Sequence, residues 1–155
     1  MRFEPIDINK HRKYMVDFRR DSFRVSFGTD QGFGDDEEYI DWVYTKSREF
    51  PDGFVLIWEN GTPIGQLELT IKEYSGKTIG YINLYYLIAS KRGMGLGKKL
   101  HQYALEFFRK YDVSEYHLRV SPNNQYALAF YRKNGMKEIG PEFNGEVIRM
   151  KGTLF

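Results

Sequence analysis

Ile88-Ala89-Ser90-Lys91-Arg92-Gly93-Met94-Gly95-Leu96-Gly97-Lys98-Lys99-Leu100 decides the fold. The stretch joins two unlike patterns. Before it, Thr78 to Ile88 is the most apolar run of the middle region and reads as a buried central strand. After it, Leu96, Leu100, Tyr103, Ala104, Phe107 and Phe108 recur with helical period, predicting an amphipathic helix that ends near Tyr111. The join is therefore strand, glycine turn, helix. The first N–H groups of a helix have no partner inside it, and with the helix dipole they form a place for an anion, phosphate above all. Glycines let a phosphate approach the backbone, and Arg92, Lys98 and Lys99 add positive charge. On the turn alone, a purely structural glycine-rich turn remains the alternative.

Working outward, Tyr116 to Val120 reads as a short strand, so Thr78 to Val120 is a βαβ unit with parallel strands and a right-handed crossover. Pro122-Asn123-Asn124 opens a helix over Gln125 to Asn134, which Gly135 ends in a left-handed cap. Met136 to Ile139 and Val147 to Leu154 are closing strands. Upstream, Asn60-Gly61 predicts a hairpin between Phe54–Trp58 and Pro63–Tyr74, and Ser75-Gly76-Lys77 turns into the central strand. Met1 to Ile6 reads as a first strand. Asp7 or Asn9 caps a helix to about Asp21, and Phe27 to Gly34 is a loop. Asp35, Asp36, Glu37 and Glu38 open a second helix, whose apolar side is Tyr39, Trp42 and Val43. The expected fold class is α+β: a mixed central sheet, antiparallel at first and then βαβ, flanked by about four helices.

Two phosphate motifs are excluded at the glycine turn. The dinucleotide fingerprint needs G-x-G-x-x-G and an acid about 20 residues on. Here the spacing is G-x-G-x-G and the next strand ends Val120-Ser121. The P-loop needs a glycine where Arg92 stands and a Ser or Thr where Lys99 stands. What fits is [Q/R]-x-x-G-x-[G/A], filled by Arg92, Gly95 and Gly97. Downstream, Val120, Asn124, Ala127, Tyr131, Lys133 and Gly135 fill a second block, with Met136 in an aromatic's place. Over Tyr81 to Gly140 the sequence resembles the GNAT N-acetyltransferase superfamily. The first half agrees only in its order of elements.

The resemblance implies an acyl-CoA N-acyltransferase-like fold and acetyl-CoA as co-substrate. It assigns the pyrophosphate to the turn of Arg92, Gly93, Met94, Gly95, Leu96, Gly97 and Lys98. The central strand would bulge and part from its parallel neighbour, leaving Tyr85, Tyr86 and Leu87 to pair with pantetheine. A backbone N–H near Leu87 would polarise the thioester carbonyl. Asn124 would bond pantetheine or pyrophosphate, or simply cap its helix. Tyr131 would contact the cofactor and serve as the acid that protonates the departing thiolate. Some relatives place a Glu five residues before the Asn. Arg119 stands there, so that base does not carry over. Glu73, Asp30 or water remain for the role. With no cysteine, and with no His–acid pair evident beside Ser90 or Ser121, the amine is expected to attack directly.

Composition narrows the remaining classes. The 155 residues suggest one domain over 1–155, with the acceptor side mostly in 1–75 and the acetyl-CoA side mostly in 81–140. An aromatic content of 17% excludes disorder as the main state. Zero Cys excludes disulfides and thiolate metal sites and fits a reducing, cytoplasmic location. No run approaches the roughly 20 apolar residues of a membrane span. Charges within Met1 to Lys10 argue against a secretory leader. His11, His101 and His117 lack metal-site spacing and read as ordinary, partly exposed side chains, so no metal is expected. A net charge of +2 disfavours a nucleic-acid partner. For the acceptor, Phe23, Phe27, Phe33, Tyr39 and Trp42 offer an aromatic lining, although Tyr39 and Trp42 also read as core. The acids of residues 35–38 offer a field for a cationic amine, or an ordinary solvated helix start. Polyamine, amino acid, peptide N-terminus and aminoglycoside stay open, as do monomer and homodimer. A non-catalytic acyl-CoA sensor is the alternative to the enzyme.

Overall fold

In the computed structural model, which describes residues 1–30, 32 and 34–154, the elements run β1 (Arg2–Pro5), α1 (Ile8–Phe27), α2 (Asp36–Glu49), β2 (Phe54–Glu59), β3 (Thr62–Tyr74), β4 (Lys77–Leu87), α3 (Leu96–Arg109), β5 (Glu115–Val120), α4 (Gln125–Lys133), β6 (Lys137–Glu142) and β7 (Val147–Thr153). The sheet order is β1-β2-β3-β4-β5-β7-β6. Only β4 and β5 pair parallel, and the remaining neighbours are antiparallel. This is the mixed α+β sheet expected from the strand–turn–helix join.

Local chemistry explains the element ends. Asn60 and Gly61, at φ 51° and 76°, make the two-residue turn that Asn-Gly favours between β2 and β3. Asp7 caps α1, its carboxylate accepting from the amides of Asn9 at 3.0 Å and Lys10 at 3.2 Å. The helix does not stop near Asp21. It runs to Phe27, and Gly28 at φ 76° ends it with its N–H on the Arg24 carbonyl at 2.8 Å. Arg20 and Arg24, on the later turns of α1, both bond Asp30, and Arg20 also bonds Asp36 at 2.5 Å. These pairs tie the longer helix to the start of α2. Phe33 lies outside the described residues.

α1 and α2 cover one face of the sheet and α3 covers the other. Met15, Tyr39, Val43, Leu67, Leu69, Leu100, Phe107, Phe108 and Tyr116 are among the buried side chains of the main core. The approach of α3 to β4 is close at Gly80, where a Cβ would stand 2.5 Å from Cδ1 of Phe108. Gly80→Ala is therefore expected to destabilise by about 1–3 kcal/mol through overpacking, read from the denaturation midpoint. Unchanged stability would mean that α3 can shift away freely.

His11 is half-buried, as expected, but the other two histidines depart from expectation. His101 and His117 are buried, at 4% and 0% exposure. His101 points into the core from α3 and meets the Tyr116 hydroxyl at 3.0 Å. His117, on β5, accepts from Arg149 at Nδ1 (2.9 Å), so its Nε2 carries the proton bonded to Glu115 at 2.6 Å. Tyr116 and Arg149, which meet them, come from other elements, and no local spacing announces those contacts, while Nδ1 of His101 is buried without a partner. Among the described residues no group of His, Cys, Asp and Glu is placed to hold a metal ion, and no helix is long and apolar enough to cross a membrane.

Candidate active site

β4 is bulged and then abandoned by its parallel neighbour. On the β3 side, Glu68 faces Leu84 while Leu69 faces Ile82, so Asn83 is the extra residue of the bulge. Its amide donates to Thr70 Oγ1 at 2.9 Å, which fixes the irregularity. On the β5 side, pairing is confined to Gly80–Ile82 against Tyr116–Leu118. Beyond Ile82 the two strands part. The Ile88 amide bonds the Ile64 carbonyl at 2.9 Å. Strand alternation then turns the N–H and C=O of Leu87 and Tyr85 away from β3, toward the parted edge. The Leu87 carbonyl meets Nε of Arg92 there at 2.8 Å. Tyr86 is the correction: its backbone faces Gln66 of β3, and its hydroxyl donates to Asp21 at 2.5 Å. Two of the three expected edge residues thus present backbone to the opening.

The parted strands open a cleft of about 1340 Å³ that runs from the glycine turn to the α1–α2 side of the sheet. Its walls include Tyr85, Tyr86, Leu87, Arg92, Gly93, Gly95, Gly97, Lys98, Asn124 and Tyr131. Gly95 caps α3 at φ 80° and Gly93 has φ 73°, and a Cβ at either would meet nothing within 4 Å. An anion can therefore come directly against this backbone, with α3 pointing its unpartnered amides outward. Gly97 has another task. A Cβ there would stand 3.0 Å from the Phe130 ring, so glycine permits α3 and α4 to touch. The Tyr85 hydroxyl donates to the Gly97 carbonyl, fastening the turn to β4.

Three expected loop residues serve the cradle differently from the simplest reading. Met94 projects to solvent at 63% exposure, Leu96 packs on the core, and neither lines the cleft. Arg92 bonds Asp21 at 3.0 Å as well as the Leu87 carbonyl, and lies 5.4 Å from the Tyr86 ring centre. It braces the turn against α1 and β4. Lys91 is drawn to Glu59 at 2.5 Å, while Lys98 lines the cleft.

Asn124 caps α4: its Oδ1 accepts from the Ala127 amide at 3.2 Å, and its Nδ2 donates to Ser26 at 3.4 Å. The capping role expected as one alternative is thus in place, and the residue also borders the cleft. One turn beyond Ala127, Tyr131 is 8% exposed and stands edge-on to Tyr85 with ring centres 6.0 Å apart. Burial pushes its hydroxyl above the ordinary tyrosine range. The group therefore stays protonated at any physiological pH.

The sequence profile of the Acetyltransferase (GNAT) family matches residues 13–136, most of the chain. The chain belongs to the GNAT acetyltransferase family. Solved structures similar to this GNAT chain include PH1933 of Pyrococcus horikoshii OT3, at 21% identity over 98% of this chain and 97% of that one, with TM-score 0.76. PaiA N-acetyltransferase of Thermoplasma acidophilum, in complex with coenzyme A, has 20% identity over 98% of both chains and TM-score 0.69. YncA of Salmonella typhimurium, with its cofactor acetyl-CoA, has 16% identity over 100% of this chain and 94% of that one, with TM-score 0.70. These likenesses establish the fold. No curated protein sequence matches the chain.

On the other side of the GNAT sheet, the cleft is walled by Arg19, Phe23, Phe27, Asp35, Glu38, Tyr39, Trp42, Lys72, Tyr81 and Arg119. The acidic run is largely spent on α1: Asp36 bonds Arg20 and Glu37 bonds Arg12, so Asp35 and Glu38 alone of the four face the cleft. The two carboxylates considered as bases lie elsewhere. Asp30 is held by Arg20 and Arg24, and Glu73 accepts from Thr78 near the β3–β4 turn.

Two clusters escaped the sequence. Behind the bulge, Glu68 accepts from the Tyr39 hydroxyl and from Gln66 at 2.9 Å, with Arg19 at 3.8 Å. Burial raises the Glu68 carboxyl above its ordinary range. Gln66, Glu68 and Thr70 alternate with Leu67, Leu69 and Ile71, a pattern that signals a solvent face. Here α1 and α2 cover it. The second cluster gathers Lys72, Arg119 and Arg149 around Tyr81, from β3, β5, β7 and β4.

Proposed function

We propose that this chain transfers an acetyl group from acetyl-CoA to a primary amine by direct attack in a ternary complex. The observation that carries the reading is the continuous cleft. It leads from the Gly93–Gly95 cradle, along the β4 edge that β5 has left, past Tyr131, and out on the α1–α2 side. A long anionic thioester fits such a path at every stage: an anion seat, an unpaired strand edge for amides, and a proton donor near the far end. The coenzyme A and acetyl-CoA held by PaiA and YncA support the choice of donor.

In this mechanism the turn of residues 92–98 holds the pyrophosphate through backbone amides and Lys98. Tyr85 and Leu87 pair with the pantetheine amides, and the inward N–H at Leu87 polarises the thioester carbonyl. A positioned donor of this kind contributes roughly 3–4 kcal/mol to an acyl transfer. Tyr131 then gives its proton to the thiolate as the carbon–sulfur bond breaks and the carbon–nitrogen bond forms. The attacking nitrogen loses its own proton toward the open acceptor mouth, where Asp35 and Glu38 line the wall. The thiolate would form inside the same poorly solvated cleft that raises Tyr131. Burial there favours the protonated thiol as well, so the surroundings that raise the donor raise the acceptor too. Residues 1–75 provide most of the acceptor side and 81–140 most of the donor side.

The test is thiol release from acetyl-CoA with a panel of amines. Amine-dependent release with one acetamide formed per thiol supports the transfer. Tight binding of acetyl-CoA without release on any amine favours a sensor.

A further inference from the structure

We infer that the acceptor carries a carboxylate besides its amine, and that Lys72 and Arg119 bind it over the ring of Tyr81. This rests on the acetyl-transfer reading above and names the substrate class of that same cleft.

The inference begins with a charge imbalance. Lys72 Nζ stands 4.1 Å from the Tyr81 ring centre, and the Arg119 and Arg149 guanidinium carbons both lie 5.8 Å from it. One carboxylate, Glu142, serves both arginines, accepting from Nε of each at 2.8 Å. Glu115 is occupied by Lys77 and His117. Three cations thus converge with one acid among them. Lys72 has no carboxylate at ion-pair distance among the described residues, and its neighbours Arg119, Lys46 and Arg149 all repel it. Partial desolvation over the ring and that repulsion lower its ammonium from the ordinary lysine range. Like charges held this close are unfavourable unless something negative arrives between them.

Position makes the imbalance relevant to the acceptor. Lys72, Tyr81 and Arg119 all wall the cleft, on the side away from the glycine cradle. Tyr81 is four residues upstream of Tyr85, across the Asn83 bulge, so these cations lie well separated from the turn at Arg92. They form a second positive region, not an extension of the pyrophosphate seat. Asp35, the N-cap of α2, and Glu38 of its first turn provide negative charge in the same half of the cleft. A molecule with an ammonium and a carboxylate finds a counter-charge for each. A polyamine or aminoglycoside would bring only positive charge to Lys72. Either a free amino acid or a peptide with an acidic residue near its N-terminus supplies the required chemistry.

The experiment compares matched pairs in the thiol-release assay. One arm sets free amino acids against their carboxamides, and the other sets peptides bearing Asp against those bearing Asn near the N-terminus. In one arm, kcat/KM should favour the carboxylate form by about tenfold or more, as expected for a charge-assisted bond. That arm identifies the source. Lys72→Gln should collapse the preference toward one, and the preference should shrink in high salt. The same variant should weaken binding of the N-acetylated carboxylate product in the presence of CoA, which needs no turnover. Turnover on amines with no preference for the acid form, or a preference that survives Lys72→Gln, overturns this inference alone. No thiol release with any amine overturns the transfer reading, and this inference with it.

Discussion

Tyr131→Phe is expected to lower kcat by about 10²- to 10⁴-fold, the usual contribution of a positioned general acid. Its KM values should stay close to those of the parent, because the lost interaction exists only as the thiolate forms. Phenylalanine keeps the ring that stands edge-on to Tyr85, and it keeps nearly all of the buried area. Folding and CoA affinity should therefore be almost unchanged. The pH profile adds a sign. Burial raises the hydroxyl, so the acid stays loaded above its free value near 10. The parent rate should show no falling limb from this group below about pH 10. A kcat within threefold of the parent, with chemistry shown to be rate-limiting by pre-steady-state kinetics, would reduce Tyr131 to a packing residue.

Gly95→Val should remove acetyl-CoA binding while leaving a folded protein. At φ 80° an ordinary L-residue is strained by roughly 1–2 kcal/mol, and a β-branched one by more. The new side chain would also enter the open space in front of the α3 amides. Losing two charge-assisted bonds at roughly 1.5–3 kcal/mol each weakens binding by about 10²- to 10⁴-fold. Thermal shift gives the readout. The parent, at ligand about 100 times above its Kd, gains about 2.7 kcal/mol, and the variant at that same concentration should gain almost nothing. Gly76→Val is the control. Gly76 sits in the β3–β4 turn at φ 78° with equally open surroundings, away from the cleft. It carries the same strain and should keep the full ligand shift. Equal ligand shifts in the two variants would place the pyrophosphate elsewhere.

The half of the molecule from β4 to α4 was legible because its signals are local. The glycines of the turn, the helical period from Leu96 to Phe108 and the Asn124–Gly135 spacing each act within one or two elements. The first half was less so. The end of α1 depends on Gly28 and on arginine pairs with Asp30 and Asp36, so the expected end near Asp21 fell short of it. The acid run of residues 35–38 looked like a steering field, but α1 neutralises Asp36 and Glu37, a contact made across the tertiary structure. The cations around Tyr81 were invisible for the same reason. They come from separate strands, and only the order β3-β4-β5-β7 makes them neighbours. The burial of Gln66 and Glu68 was not legible because strand alternation reports polarity, not what a covering helix will hide.

The parting of β4 from β5 is pinned at both ends. The short ladder of Gly80–Ile82 holds one end, and the contact of Gly97 with Phe130 holds the other. The opening between them is therefore a slot bounded by contacts at both ends. One inserted extended chain would restore sheet-like spacing of about 4.8 Å on each side, so that its amides could pair with the strand edge. On the proposed reading, the slot grips the amide-bearing arm of the donor and takes no measure of the acyl group beyond it. On that reading, discrimination among acyl groups falls to the side chains at the end of the arm, Tyr131 foremost.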